Sequence, residues 1–321
     1  MRTICQSNRR SNLGGMNIPI LRIPFSEQDI DFLQDGLSHI VSSGFLTMGQ
    51  YTNQFEELFA EFTGTDIAIS CSNGTSALEL ILRGLGIEGR SVIVPTNTFL
   101  ATAFAVMHAG NRVIFADSDP ETLCLDVADV TNRITDDTAA IILVHIGGII
   151  TPAVYELQRL CNERGIYLIE DCAHAHGCAI DGKQAGTLGI AGAFSFFPTK
   201  VLTTGEGGMV TTNNEELAQN IRRIRNHGKN PTLNNRMSQM GHNYRISEVT
   251  ALLGVQQMHK ANTIIEERRR IANWYDSKLK NITGLRPLTL TEKIFSSYYK
   301  YVAYLDEDID RHQIKMMLKE E

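Results

Sequence analysis

Between about Thr65 and Thr212 the chain alternates short apolar runs with amphipathic ones. The apolar runs are Ile67–Cys71, Ser91–Val94, Arg112–Ala116, Ala139–Val144, Ile166–Glu170 and Ala193–Phe197. Each is short, rich in β-branched or aromatic residues and bounded by Gly, Asn, Asp or Pro, and so predicts a buried strand. Helical periodicity lies between them, over Ser76–Leu85 and Pro152–Arg164. The second of these opens on Thr151-Pro152, a cap with proline at the first helical position, and stops at Gly165. Strand–helix alternation predicts a mostly parallel sheet with helices on both faces. Ligands of such sheets sit at the carboxyl ends of the strands.

Beyond about Asn213 the pattern turns helical. Asn214–Arg225 places Leu217, Ile221 and Ile224 on one face. Ile246–Tyr275 reads as one long helical stretch. Tyr298–Leu305 reads as a strand, and Asp310–Lys319 as a final helix capped by Asp310. No stop signal follows that helix, so the second unit reads as incomplete. The expected division is a mobile leader over 1–15, with Met16 as an alternative start, a large domain over 16–258 and a small C-terminal domain over 259–321.

Composition narrows the class. The 321 residues are 43% hydrophobic and 21% charged, as expected of a soluble globular chain with room for a large core. A net charge of -6 argues against nucleic acid as the main partner. The densest basic run, Arg268-Arg269-Arg270, adjoins Glu266 and Glu267 and reads as a solvated helix face. No stretch reaches the roughly 18 apolar residues that span a bilayer, and the leader lacks the apolar middle of a secretory signal. The six cysteines are scattered, which fits reduced thiols in a cytoplasmic protein.

The residues after the strands carry the candidate chemistry. Ser72-Asn73-Gly74-Thr75-Ser76 leads into a helix, where free N–H groups and the positive dipole end form a phosphate seat. The same turn is equally a plain helix cap. Neither a Walker loop nor a G-x-G-x-x-G fingerprint occurs. Asp171 follows a buried strand, and a carboxylate there needs a cationic or N–H partner; a protonated pyridine nitrogen would serve. The alternative is an Asp that caps a loop. Lys200 follows the aromatic run Phe196-Phe197-Pro198-Thr199. If buried, its amine loses charge and can form a Schiff base; a lone lysine is otherwise a surface residue. Ser195 adds a hydroxyl for a phosphate.

Cys172, His174, His176 and Cys178 alternate with other residues and have zinc-ligand types. On an extended strand their neighbours would be about 6.6 Å apart. Tetrahedral zinc needs donor atoms only about 3.5 Å apart, so four in a line cannot share one ion. No metal is expected.

Taken together, these stretches resemble the DegT/DnrJ/EryC1/StrS family of sugar aminotransferases, within the fold type I pyridoxal-phosphate enzymes. The resemblance runs from about Ile18 to the last residues. Its motifs include Gly44-Phe45-Leu46-Thr47, Asn73-Gly74-Thr75-Ser76-Ala77-Leu78, Pro95-Thr96-Asn97-Thr98-Phe99, Glu170-Asp171-Cys172-Ala173-His174, Ser195-Phe196-Phe197-Pro198-Thr199-Lys200, Gly205-Glu206-Gly207-Gly208, Arg225-Asn226-His227-Gly228 and Gly241-His242-Asn243-Tyr244-Arg245. It implies an α/β fold with a mostly parallel sheet of the seven-stranded type between helices. A smaller C-terminal α+β domain would follow, incomplete relative to the family.

The resemblance also implies roles. Lys200 would hold pyridoxal 5'-phosphate covalently and then shuttle a proton. Asp171 would bond the pyridine nitrogen, His174 would lie against the ring and Phe99 would stack on it. Gly74, Thr75 and Ser195 would contact the phosphate. Asn243 would reach the phosphate of the neighbouring subunit, which implies a homodimer. The implied reaction moves an amino group from an amino acid, L-glutamate by resemblance, to a nucleotide-linked keto-sugar.

Two departures stand out. The family's His-Leu-Tyr-Gly is His145-Ile146-Gly147-Gly148 here, so an aromatic is missing beside the pocket. The family also continues past the position of Glu321. Rival readings are a sugar dehydratase of the same family, which carries His where this chain has Lys200, and a cofactor-binding non-catalytic or regulatory protein.

Overall fold

The computed structural model describes residues 22–23 and 25–320, so the leader expected over 1–15 and the alternative start at Met16 lie outside the described residues. The fold is α/β, built on a sheet of seven strands. In chain order these are β1 (Ile67–Cys71), β2 (Ser91–Pro95), β3 (Arg112–Ala116), β4 (Thr138–Val144), β5 (Tyr167–Asp171), β6 (Ala191–Ser195) and β7 (Gly208–Thr212). Their order across the sheet is β1-β7-β6-β5-β4-β2-β3. β7 alone runs against the rest, pairing antiparallel with both β1 and β6. The carboxyl ends of the other six therefore share one edge.

Nine helices accompany the sheet among the described residues: α1 (Glu27–Ser43), α2 (Gln50–Thr63), α3 (Gly74–Gly84), α4 (Ala101–His108), α5 (Val127–Arg133), α6 (Val154–Arg164), α7 (Glu215–Arg225), α8 (Glu248–Leu279) and α9 (Arg311–Glu320). The strands are apolar on both faces because both faces are covered. Successive side chains point to opposite sides. Ile141 and Leu143 of β4 join a core with Phe55 and Phe59 of α2, Leu157 of α6 and Val255 of α8. Ala140 and Ile142 face the other way, onto Leu78 and Ile81 of α3, Val106 of α4 and Ile221 of α7.

The sequence reading needs correcting in places. The sixth strand ends at Ser195, not at Phe197. The strand that follows it, β7, is a Gly-Met-Val-Thr-Thr run behind two glycines, with too few apolar residues to be read as buried. Thr151-Pro152 does not open α6. The helix starts at Val154, Ala153 holds the cap position, and the Thr151 hydroxyl accepts the Ala153 N–H at 3.2 Å while its carbonyl accepts the Val154 N–H at 3.1 Å. Gly165 does end it, in the left-handed conformation at φ 64°. The long helical stretch continues to Leu279. The strand expected over Tyr298–Leu305 is only Ala303–Leu305, paired with Leu285–Pro287. Asp310 caps α9, accepting from the His312 N–H at 2.7 Å.

Candidate functional site

The turn after β1 is held shut by its own side chains. Asn73 Oδ1 accepts from the Ser76 N–H at 2.8 Å and from the Ser76 hydroxyl at 3.1 Å, capping α3. That leaves the amides of Gly74 and Thr75 at the open end of the helix, where an anion is favoured. A Cβ on Gly74 would lie 2.7 Å from the Ser195 Cβ, so only glycine lets the turn approach the end of β6 this closely. Gly74 and Ser195 thus come together at the N-terminus of α3.

Asp171 is the last residue of β5 and is buried. Its Oδ2 accepts from the Thr102 hydroxyl at 2.8 Å and its Oδ1 from the Ala173 N–H at 3.1 Å. Thr102 in turn lies 2.7 Å from the Thr98 hydroxyl. Each carboxylate oxygen has one donor and keeps accepting capacity for another. The sequence reading missed Thr102; a threonine in the first turn of an apolar helix gives no signal of its own.

Lys200 does not stand directly behind a strand. It sits in the loop between antiparallel β6 and β7, in a turn where its N–H donates to the Phe197 carbonyl at 2.9 Å. The loop is tied at its base by the Phe196 N–H to the Gly207 carbonyl, 2.9 Å, and by the Thr203 hydroxyl to the Phe196 carbonyl, 2.9 Å. Burial lowers the Lys200 ammonium below the usual lysine range, and the Lys300 charge acts the same way; Tyr299 and Asp171 oppose it.

His174 is half-buried, and its pKa is lowered to about 3, by burial first and then by the charges of Lys200 and Lys300. It is therefore a neutral imidazole at ordinary pH. Its Nδ1 accepts from the Gly147 N–H at 3.2 Å. Its ring stacks on Tyr299, centroids 4.1 Å apart and planes at 21°. Tyr299 was not foreseen. It arrives on a segment clamped by two arginines that read as solvent-facing. Arg268 donates to the carbonyls of Ser297, Tyr298 and Tyr299 at 3.2, 2.8 and 3.1 Å, and Arg269 to that of Ser296 at 2.8 Å. Only Arg270 behaves as a surface charge, pairing with Glu267.

Phe99 lies in the turn after β2 and is 74% exposed. Asn243 is also exposed, in a bridge to Asn226. Its neighbour Tyr244 accepts the Ser72 N–H at 2.9 Å on its carbonyl, which ties the Asn243 segment to the phosphate turn of the same chain. The Tyr244 hydroxyl donates to buried Glu79 at 2.9 Å.

The four residues weighed as a zinc set are put to other uses. His176 lies between Phe59, Phe194 and Phe196. Cys178 contacts the Ser297 hydroxyl at 3.2 Å, and His174 faces Tyr299. Cys172 instead neighbours His145 and Glu170, with ligand atoms within 4.8 Å. The Glu170 carboxylate already accepts from the N–H groups of Gly186, Leu188 and Gly189 at 2.9, 2.7 and 2.7 Å, and meets His145 Nε2 at 2.8 Å. It is a buried pin that holds the loop before β6 against β5.

Lys200, Asp171, the α3 N-terminus and exposed Phe99 thus share the carboxyl edge of the sheet. The set suits a phosphorylated pyridine aldehyde: an amine for the aldehyde, an acceptor for the ring nitrogen and amides for the phosphate.

Comparison with known proteins agrees with that chemistry. Residues 28–321 match the sequence model of the DegT/DnrJ/EryC1/StrS aminotransferase family. The chain is 36% identical over 286 residues to the GDP-perosamine synthase of Vibrio cholerae, covering 88% of this chain and 77% of that protein. It superposes on the aminotransferase TlmJ from Streptoalloteichus hindustanus with a TM-score of 0.86 at 31% identity, covering 94% of this chain and 82% of that one. A GDP-4-keto-6-deoxymannose-3-dehydratase, ColD, superposes with a TM-score of 0.85 at 27% identity, covering 95% and 84%.

Proposed function

The chain belongs to the DegT/DnrJ/EryC1/StrS aminotransferase family and is a pyridoxal-phosphate-dependent transaminase; on that premise we propose that it moves an amino group from L-glutamate to a nucleotide-linked keto-sugar. The observation that supports this best is that Lys200 and Asp171 share the sheet edge on which the Gly74–Ser76 turn also lies. Bound there, pyridoxal phosphate supplies an electron sink for the α-carbon of the donor.

The chain's own residues divide the remaining work. Lys200 attaches the cofactor through its side-chain nitrogen. Released by the amino donor, it then holds and moves the proton as general base and acid. Asp171, steadied by Thr102, keeps a proton on the pyridine nitrogen. Gly74, Thr75 and Ser195 bind the phosphate. Phe99 stacks on one ring face, and neutral His174 lies against the ring. Asn243 reaches the phosphate of the neighbouring subunit in a homodimer. Phe45 and Leu46 are exposed large apolar residues, as an interface with a second copy would use.

The test is the cofactor's visible absorbance in the purified protein. L-Glutamate should bleach it and a nucleotide-linked keto-sugar should restore it. Borohydride should fix the cofactor to the protein, and Lys200→Ala should abolish that attachment. Covalent fixation in Lys200→Ala would overturn the assignment of the lysine. Absorbance that amino donors leave untouched would overturn the transfer.

A further inference from the structure

We propose that Tyr299 is a positioning residue for Lys200, its ring lying under the lysine's side-chain nitrogen and its phenol tied to the turn that bears the lysine, beside the bare backbone of Gly147. This rests on the reading of Lys200 given above.

The geometry is specific. Lys200 Nζ lies over the Tyr299 ring, 5.0 Å from its centroid, and the phenol oxygen is 3.4 Å from the hydroxyl of Thr199, the residue before the lysine. One ring thus touches both the turn that bears Lys200 and the imidazole of His174. His174 is itself anchored to the Gly147 N–H, and Gly147 accepts the Lys300 N–H at 3.1 Å. The wall is a closed circuit: Gly147 to His174, His174 to Tyr299, and Lys300 back to Gly147.

Tyr299 is also costly to place where it is. Tyr298, just before it, has φ 49°, a conformation that bulky residues adopt only when the surroundings impose it. Arg268 imposes it, with three carbonyls of this segment on one half-buried guanidinium. Ser296 adds a hydroxyl that accepts the Tyr298 N–H at 2.9 Å. A clamp of this kind on a strained turn is hard to explain if Tyr299 only fills space.

The consequence concerns the charge on Lys200. The Tyr299 oxygen and ring both favour the ammonium form, against the burial that disfavours it. Removing the oxygen removes part of that support. The neutral, nucleophilic amine then persists to lower pH.

The experiment uses apoprotein and pyridoxal 5'-phosphate, reading the rate of covalent capture against pH. Tyr299→Phe should move the midpoint of the profile to lower pH. Tyr299→Leu, which also lacks the oxygen, should move it the same way and guards against a folding failure of either variant. A merely structural tyrosine would change stability or affinity and leave the midpoint in place. An unmoved or raised midpoint in a folded variant overturns the proposal. Lys200→Ala, run beside them, keeps the two readings apart. Capture that survives in it sinks the lysine assignment, whereas capture lost in it with an unmoved Tyr299→Phe profile sinks only the role of Tyr299.

Discussion

The Thr102 hydroxyl donates to Asp171 Oδ2 at 2.8 Å, across 69 residues of chain. It is a neutral donor held under a buried carboxylate, and its removal leaves that oxygen poorly served. Thr102→Val keeps the volume and deletes the donor. It should cost about 1.5–3 kcal/mol in stability and weaken pyridoxal-phosphate retention, whereas Thr102→Ser should keep most of both. Urea midpoints and cofactor loss on dialysis measure the two effects. A Val variant that matches the original protein in both would show that Asp171 is steadied by other groups.

Arg268 serves three carbonyls with one planar fork, a geometry that an ammonium cannot copy. Arg268→Lys should therefore destabilise by about 2–3 kcal/mol despite the retained charge. Amide hydrogen exchange should accelerate over Ser296–Tyr299 before it does so in the sheet. Unchanged exchange there would show that the clamp is not what holds the segment.

His176 is buried among three phenylalanines, and burial lowers its pKa from 6.5 to about 3, with Lys200 and His174 adding to the effect. The folded state therefore stays unprotonated while the unfolded chain takes up a proton below 6.5. Stability is complete above that pH and falls as pH drops toward about 3. The slope is on the order of 1 kcal/mol per pH unit for this group. His176→Gln cannot titrate and should show a shallower loss of urea midpoint between neutral and mildly acidic pH. Equal slopes for the two proteins would mean that other groups carry the acid sensitivity.

Much of the architecture was legible because it is local. Ile93 and Val94 face opposite cores through the simple alternation of a strand, and strand ends need glycine or polar residues whatever lies around them. Gly165 stops α6 because it adopts φ 64° without penalty. Lys200, Asp171, Gly74, Thr75 and Ser195 fall on one edge because parallel strands deliver their ends to one edge. The antiparallel β7 was less legible. Its short, threonine-ended run is buried by its partners β1 and β6, not by its own pattern.

Sequence alone determined six of the seven strands of the sheet, the two-faced core and the small group of residues that follow the strands. Each depends on neighbours a few positions apart, where periodicity and turn chemistry act directly. Only the tertiary structure decided what surrounds that group: Thr102 beneath Asp171, Glu170 pinned among three amides, Tyr299 against His174 and Arg268 behind it. Arg268 shows the reason most plainly. Beside Glu266 and Glu267 it has every local mark of a surface charge, and it becomes a half-buried clamp because folding brings three carbonyls from about thirty residues away to a guanidinium that would otherwise have only water.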